Sequence, residues 1–147
     1  MALDHNADCV LCREAGGLSV WQGQQLRVIR AQEAGFPAFY RVIWNAHVAE
    51  LSDLSEHDRN TCMAVVAEVE RVIRTQLQPT KINLAALGNM VPHLHWHVIA
   101  RYDWDSHFPA SVWANPLRER DLQREAQLEQ ALVATDAAIA QALVRWS

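Results

Sequence analysis

The segment His93–Ile99 alternates histidines with apolar residues, in the order His-Leu-His-Trp-His-Val-Ile. Successive side chains of a β-strand point to opposite faces of its sheet, so this alternation predicts a strand whose three histidines share one face. Leu94, Trp96 and Val98 then point the other way, into a hydrophobic core. The strand is predicted to run from the first histidine to about Arg101.

Three imidazoles on one face of an otherwise apolar strand indicate a chemical site. Next-nearest residues of a strand lie roughly 6.5–7 Å apart, so His95 stands between its two neighbours. Each imidazole changes protonation near neutral pH, which suits acid–base or nucleophilic chemistry. Two other interpretations remain open: a metal site built on the His-x-His spacing, and a polar strand face without chemistry.

The length and composition favour one ordinary globular domain over residues 1–147. Half of the residues are hydrophobic and a fifth are charged, which is typical of a protein with a sizeable core. The formal net charge of −4 argues against a partner such as DNA or RNA, which normally requires a basic face. A small nucleotide remains compatible with it, because a local site can be positive within an acidic protein.

The start of the chain and its cysteines predict a cytoplasmic protein. Residues 1–5 show neither the basic start nor the apolar run of a signal peptide. Apolar stretches approaching the roughly 20 residues of a membrane span are absent from the sequence, so a membrane partner is not expected. Three cysteines do not make the disulfide framework of a secreted domain.

The pair Cys9-x-x-Cys12 predicts half of a tetrahedral zinc site. His47 and His93 complete a Cys₂His₂ set drawn from three parts of the chain, and such a structural zinc would tie the N-terminal segment to the sheet. A redox pair and two unrelated core thiols are the alternatives. Cys62 lies on an apolar stripe of helical spacing and is interpreted as a core thiol.

Periodicity and turn residues predict the remaining elements. Ser55, with Asp58 three residues on, resembles a capping box and starts a helix that ends near Leu77. The alanine- and glutamate-rich composition after Leu117 favours one long helix to Trp146. Strands are predicted at Leu18–Trp21, Leu26–Ile29, Ala38–Trp44 and Lys81–Leu87. The result is an α+β domain with a mostly antiparallel sheet, one central helix and a long C-terminal helix.

The histidine strand resembles the signature of the histidine-triad (HIT) family of nucleotide hydrolases and transferases, and it matches at every position. Weaker likenesses follow in the same order and spacing along most of the chain. They are Cys9–Cys12, the strand Arg41–Val48 with its His47, the strand amide Asn83, and Gly88-Asn89. The resemblance implies a HIT-like fold and a homodimer with one nucleotide site in each subunit.

The resemblance implies hydrolysis or nucleotidyl transfer at the α-phosphate of a nucleotide conjugate, through a covalent nucleotidyl-histidine. His95 matches the family's nucleophile, and a neutral imidazole whose other nitrogen is anchored is suited to this attack. His97, Asn83 and Asn89 are the expected phosphate or ribose contacts. In zinc-bearing relatives the first triad histidine is a metal ligand, which here is His93. An organic cofactor is not expected.

Two positions depart from the family's pattern. Many members carry Ser or Thr where this chain has Met90, and proline where it has Trp44. The missing hydroxyl keeps two other functions open: a catalytically weak nucleotide-binding regulator, and a zinc-dependent site in which the histidines are metal ligands. The aromatic segment Tyr102–Pro116 is too apolar for a plain surface loop and is predicted to pack over a site or against a partner subunit.

Overall fold

The computed structural model describes residues 5–147, and its centre is an antiparallel five-stranded sheet. The strand order across the sheet is β1-β2-β3-β5-β4, so the triad strand lies inside the sheet and β4 lies at one edge. The strands are β1 (Leu18–Gln22), β2 (Leu26–Arg30), β3 (Phe39–Trp44), β4 (Lys81–Ala85) and β5 (His95–Arg101).

Helices precede, interrupt and follow the strands. They are α1 (Val10–Arg13), α2 (Glu56–Leu77), α3 (Leu122–Gln130) and α4 (Leu132–Ala142), with 3₁₀ turns at Leu51–Asp53 and Val144–Trp146. Among the helices in residues 5–147, none combines the length and the apolar character needed to cross a bilayer. The expectation that the chain lacks a signal peptide concerns residues 1–4, which lie outside the described residues.

The central helix covers one face of the sheet. It begins where the sequence predicts, because Ser55 Oγ accepts a hydrogen bond from the Asp58 N–H at 3.1 Å and so satisfies one free donor of the first turn. Its apolar stripe, including the buried Cys62 and Val66, packs against the sheet side chains on the face opposite His95 and His97. The interpretation of Cys62 as a core thiol is confirmed, and burial raises its pKa to about 11.

The opposite face of the sheet carries two of the triad histidines. His95 pairs with Ile43 and His97 with Arg41 across the β3–β5 ladder, so all four side chains belong to this face. A second apolar cluster lies beside them, formed by Leu11 of α1 and sheet residues such as Ile43. The N-terminal segment therefore packs directly beside the histidines.

The triad strand begins two residues later than the sequence predicts. His93 is fully buried but precedes β5, which starts at His95. The backbone N–H of Leu94 bonds to the carbonyl of Val48, beyond the end of β3, at 2.7 Å. Because of this bond, the regular β3–β5 pairing does not continue to His93. The ring of His93 therefore does not line up with the rings of His95 and His97.

The neighbouring strand β4 ends at Ala85 and not at Leu87. The chain then turns back through residues 86–94, and Gly88 adopts a φ of +77°, which glycine tolerates without the strain of a side chain. This turn brings residues 87–91 against the histidine face. The loop therefore returns to the triad strand, and β4 is two residues shorter than predicted.

The single long C-terminal helix predicted from Leu117 is wrong in its details. The first helix starts at Leu122, because the Asp121 carboxylate accepts from the Arg124 N–H and caps it. The helical run is then interrupted at Ala131, whose N–H bonds to the carbonyl of Leu128, three residues back and not four. The α+β class with an antiparallel sheet and one central helix is confirmed.

A buried ion pair at the end of β5 holds the aromatic segment Tyr102–Pro116 in place. The guanidinium of Arg101 donates to both carboxylate oxygens of Asp105, at 2.9 and 3.0 Å, and to the carbonyl of Ala110 at 2.8 Å. The two charged side chains are 2% and 3% exposed. Trp104 and Phe108 are half-buried, so part of the predicted apolar surface is covered within the chain.

Replacing Asp105 by asparagine should destabilise the protein by about 3–5 kcal/mol, because it leaves the Arg101 charge buried without a partner. Burial opposes ionisation of Asp105, but hydrogen bonds from Arg101 and from backbone N–H groups outweigh it and hold the pKa of this carboxyl below its usual value. The stabilisation is therefore present above the unfolded carboxyl pKa of about 3.9 and is lost as pH falls through the lower folded pKa.

Urea unfolding of wild type and Asp105→Asn between pH 6 and pH 2.5 measures this contribution. The difference in unfolding free energy should be largest at pH 6 and should shrink in acid. Asp103→Asn is the matched control, since Asp103 is exposed and two residues away. A difference that stays constant with pH would contradict the assignment.

Candidate active site

The ring of His95 is held with one nitrogen bound and the other free. Its Nδ1 lies 2.6 Å from the backbone carbonyl of His93. A carbonyl oxygen only accepts, so Nδ1 carries the proton and the lone pair is on Nε2. Burial and the nearby Arg41 charge lower the pKa of His95, although the carbonyl opposes this effect. The ring is therefore neutral at pH 7, with Nε2 available as a nucleophile.

His97 packs beside His95 in an aromatic enclosure. The two rings meet edge to face, with centroids 5.0 Å apart, and Trp113 contacts His97 in the same way at 5.1 Å. Burial lowers the pKa of His97 to about 4, and the charge that His95 gains in acid and the charge of Arg41 act in the same direction. Arg41 Nε donates to His97 Nδ1 at 3.5 Å, so the neutral ring carries its proton on Nε2.

The four predicted metal ligands form one cluster. Their ligand atoms, from Cys9, Cys12, His47 and His93, lie within 4.8 Å of one another. Three sulfur-to-nitrogen distances, all measured to Nδ1 atoms, are 3.4, 3.5 and 3.6 Å, and the two Nδ1 atoms are 3.3 Å apart. Tetrahedral zinc, with bonds of about 2.3 Å to sulfur and about 2.0–2.1 Å to nitrogen, gives edges of about 3.6 and 3.3 Å. The donor set therefore fits zinc.

The surroundings of the cluster orient its ligands. His93 Nε2 donates to the carbonyl of Trp44 at 2.6 Å, which leaves the lone pair on Nδ1, directed at the other ligands. The buried guanidinium of Arg27 donates to the carbonyl of Leu11 at 2.6 Å and to the side chain of Asn45 at 3.1 Å. Arg27 thus holds the segment of Cys9 and Cys12 against the sheet, although in the sequence it is an ordinary strand residue.

A cavity of about 470 Å³ opens over His95 and His97. Its volume is in the range of small-molecule sites. The loop after β4 forms one wall with Leu87, Asn89 and Met90, whose side chain is 94% exposed. The N-terminal segment and Trp113 form other walls, so most of the lining is apolar.

The two predicted asparagine contacts have different positions. Asn89 lines the cavity, in the same loop as Met90. Asn83 is on the histidine-bearing face of β4, but it is not among the residues that line the cavity. Its Oδ1 accepts a hydrogen bond from Arg101 Nη1 at 2.8 Å, so this amide oxygen is already used within the chain.

Two residues of the cavity were not singled out from the sequence as binding residues. Arg41 lines the cavity, and its contact with His97 depends on the pairing of two distant strands. Trp113 was predicted only as part of the aromatic segment Tyr102–Pro116. A tryptophan in a proline-containing loop could have indicated a residue that lines a binding site. Within the described residues, the cavity therefore combines neutral imidazoles, one guanidinium, the carboxylate of Glu14, one amide and apolar walls, a composition suited to a small polar ligand with an apolar part.

Comparison with known proteins identifies relatives of this sequence and of this fold. The family model described as HIT domain matches residues 14–104. The chain superposes on a histidine triad protein from Bradyrhizobium japonicum with a TM-score of 0.68 and 25% identity, over 92% of this chain and 98% of that one. A zinc-bound histidine triad family protein from Mycobacterium smegmatis, 22% identical, gives a TM-score of 0.59 over 89% of this chain and 97% of that one.

The fold and the histidine strand define a class of α+β proteins. The chain belongs to the histidine-triad (HIT) family. An AP-4-A phosphorylase from Mycobacterium tuberculosis is 29% identical over 98 residues, which cover 63% of this chain. The chain spans about half the length of this curated relative.

Proposed function

We propose that this protein hydrolyses or transfers the nucleotidyl group of a nucleotide conjugate, through a covalent bond between His95 and the α-phosphorus. The observation that carries the proposal is the orientation of His95. Its Nδ1 is anchored on the His93 carbonyl, which leaves the lone pair on Nε2 of a ring that lines the cavity. A neutral imidazole attacks without first losing a proton.

The reaction has two balanced steps. In the first, His95 Nε2 forms a nitrogen–phosphorus bond, and the bond from phosphorus to the leaving group breaks with its electron pair on that group. In the second, water adds to phosphorus and loses a proton, the nitrogen–phosphorus bond breaks, and the nucleoside monophosphate departs. In this proposal, His97 Nε2–H and the side chain of Asn89 donate to phosphate oxygens as their charge reorganises, which is supported by the position of both residues in the cavity lining.

Asn83 has a supporting role in this proposal. Its amide oxygen orients Arg101, whose ion pair with Asp105 holds the segment Tyr102–Pro116, and Trp113 belongs to that segment. The amide nitrogen of Asn83 remains the group with which it would contact a ribose or a phosphate.

A panel of adenylated donors tests the proposed function. Diadenosine polyphosphates, adenosine phosphoramidate and adenylated sugars share the α-phosphate, and released AMP is the common product. A reaction with each donor, stopped during the first turnover and before the second step is complete, should contain acid-labile AMP bound to the protein. Repeating the assay with added inorganic phosphate distinguishes water from phosphate as acceptor, which the name of the tuberculosis relative makes a specific alternative.

A nucleotide-binding protein without turnover is the second candidate. Met90 favours it, because a side chain without a hydroxyl occupies the cavity wall where many family members have Ser or Thr. The same donor panel separates the two candidates. Tight binding of donors without AMP release or adduct would support the regulator and overturn the enzyme.

The proposal includes a structural zinc at Cys9, Cys12, His47 and His93. The distances within the cluster fit tetrahedral zinc, and a family member of similar fold is zinc-bound. When bound, the ion joins the N-terminal segment to the loop before β5 and supplies no step of the chemistry. His93 is thereby used for structure, and His95 stays free. The alternative in which the triad binds a catalytic metal has less support, because His95 Nδ1 is held by a carbonyl.

We expect a symmetric homodimer, as the commonest closed assembly of a small protein with exposed apolar surface. β4 is an edge strand of the sheet, and Leu84 and Leu87 at this edge are 41% and 56% exposed. At the C-terminal end, Val144 is 58% exposed. Sedimentation equilibrium at micromolar concentration should give twice the mass of one chain. A single-chain mass under these conditions would contradict the expectation.

A further inference from the structure

One wall of the active-site cavity is formed by residues 10–16, which precede the sheet in the chain. Four residues of this stretch, called the N-terminal wall below, line the cavity: Val10, Leu11, Glu14 and Gly16. Its regular structure is limited to the four residues of α1, and a helix this short is not stable through its own hydrogen bonds. The position of the wall therefore depends on contacts with the sheet.

Arg27 of β2 supplies several of these contacts. Its guanidinium donates to the carbonyls of Leu11 at 2.6 Å, Ala15 at 3.1 Å and Glu14 at 3.3 Å. These carbonyls lie at and just after the C-terminal end of α1, where the helix itself offers no donors for them. Arg27 is 8% exposed, and hydrogen bonds from a charged donor are stronger than neutral ones. One side chain thus holds the end of the wall.

Arg27 lies in the same row of the sheet as the proposed nucleophile. It pairs with Ile43, and Ile43 pairs with His95, so the three side chains share one face of the sheet. Adjacent strands are about 4.8 Å apart, which places Arg27 roughly 10 Å from His95 across the sheet. The wall covers the middle of this row, since a Cβ at Gly16 would lie 3.3 Å from Ile43 Cδ1. Arg27 therefore fastens the wall at the end of the row away from His95.

The side chain of Asn45 holds Arg27 in this orientation. Asn45 Oδ1 accepts from Arg27 Nη1 at 3.1 Å, and Asn45 Nδ2 donates to the carbonyl of Gly23 at 3.1 Å. The planar guanidinium is thus fixed between the amide of Asn45 and the carbonyls of the wall. A lysine has the same charge but lacks this fork of donors.

The groups that would carry out the chemistry are oriented without the wall. His95 Nδ1 is anchored on the carbonyl of His93, and His97 Nδ1 accepts from Arg41. These residues belong to β3, β5 and the turn before β5. Binding of a small molecule, in contrast, depends on walls that enclose most of its surface. Displacement of the wall should therefore weaken binding and leave the nucleophile oriented.

We infer that Arg27 is a positioning residue of the active site, which holds the N-terminal wall over the sheet and so determines the affinity for nucleotide but not the rate at which His95 attacks. This inference rests on the proposed function and deepens it. Without Arg27 the wall is in place in only a fraction of the molecules, and the apparent Kd rises by the inverse of that fraction.

Arg27→Ala tests the inference, with AMP as the binding probe and diadenosine tetraphosphate as the donor. The Kd of AMP should rise roughly 10–10²-fold, as expected if the wall is formed in about a tenth to a hundredth of the molecules. The rate of adduct formation at saturating donor should stay within about 3-fold of wild type, because the interaction lost is one of binding. Calorimetry and rapid-quench analysis of a single turnover measure the two quantities.

Two milder variants keep the test valid if Arg27→Ala does not fold. Arg27→Lys retains the charge and should bind AMP more weakly than wild type, because an ammonium does not reach all three carbonyls at once. Asn45→Ala leaves Arg27 in the chain but removes the group that orients it, so it should also weaken binding. In both variants the rate of adduct formation at saturating donor should be retained.

Arg30, three residues further along β2, supplies the matched control. Its side chain is 16% exposed and forms an ion pair with Asp136, and it pairs with Tyr40 on the face of the sheet that α2 covers. Arg30→Ala therefore also removes a largely buried arginine but leaves the cavity walls intact. Both alanine variants should lower the unfolding midpoint, whereas only Arg27→Ala should weaken AMP binding.

Limited digestion with trypsin shows whether the wall is released locally. Arg13 of α1 is exposed within the wall, and Arg74 of α2 is exposed on the other side of the sheet. Arg27→Ala should accelerate cleavage after Arg13 but not after Arg74, and AMP should slow the cleavage after Arg13. Equal acceleration at the two sites would mean that the whole domain is destabilised, and it would overturn the inference.

The remaining outcomes separate this inference from the proposed function. Unchanged AMP affinity in Arg27→Ala, an equal loss in Arg30→Ala, or a loss confined to the rate at saturating donor overturns the role of Arg27 and leaves the proposed catalysis standing. A wild type that forms no adduct rejects the proposed catalysis, and weakened AMP binding with faster cleavage after Arg13 would still support the role of Arg27 in binding.

Discussion

Replacing His95 by alanine should abolish both the covalent nucleotidyl adduct and turnover. The expected loss is on the order of 10⁴-fold or more in kcat, because removal of a covalent nucleophile removes most of the catalysis above background. The ring of His95 lines the cavity and is only partly buried, so its removal should have little effect on stability. The affinity for nucleotide and the unfolding midpoint should therefore change far less than kcat. Rapid-quench detection of the adduct and steady-state release of AMP measure the two effects.

His57→Ala is the matched control for this experiment, since His57 is exposed near the start of α2 and away from the cavity. The loss of kcat in His97→Ala should lie between the losses in His57→Ala and His95→Ala, at roughly 10–10³-fold, because one transition-state donor is removed. A His95→Ala protein that turns over at the wild-type rate would exclude the covalent mechanism. A wild type that binds nucleotide but forms no adduct with any donor would instead favour the regulator.

Replacing Cys9 and Cys12 together by serine should remove zinc and lower the melting temperature. A ligand present at about 1,000 times its Kd stabilises the folded state by about 4 kcal/mol. For a chain of about 150 residues, this stabilisation corresponds to a fall of roughly 8–16 °C in Tm. Elemental analysis of the purified protein and thermal unfolding, each with and without a chelator, are the measurements.

The third cysteine supplies the control. Cys62 is 1% exposed on the buried face of α2 and is not part of the cluster, so Cys62→Ser should retain the metal whatever its effect on stability. The chelator should lower the Tm of wild type and leave that of the double variant unchanged. Wild-type protein without zinc, together with an unaltered Tm in the double variant, would reject the metal site.

The sequence predicted best those features that depend on local patterns. The alternation after His93 predicted the strand, and the stripe around Cys62, with a cap at Ser55, predicted the central helix almost to the residue. The sequence also predicted the cluster of possible metal ligands, because cysteine and histidine are both common zinc ligands. Its members are Cys9, Cys12, His47 and His93.

Features set by distant contacts were not predictable in this way. Arg41 is an ordinary strand residue in the sequence, and only the β3–β5 register places it against His97, 56 positions away. The alternation suggested that His93 belongs with the other two histidines, but the hydrogen bond between Leu94 and Val48 ends the regular ladder before it. The role of Asp121 as the N-cap of α3 was not predicted, because the residues on both sides of it have a composition that favours helix.

Residue 93 performs its two tasks with different parts of the molecule. The imidazole belongs to the cysteine–histidine cluster, whereas the peptide carbonyl holds the ring of His95. Every amino acid has that carbonyl, so a substitution at position 93 can remove a ligand of the proposed metal site while the ring of His95 keeps its orientation. Metal content and catalysis can thus diverge among relatives, and the cysteine pair alone does not indicate which of them are enzymes.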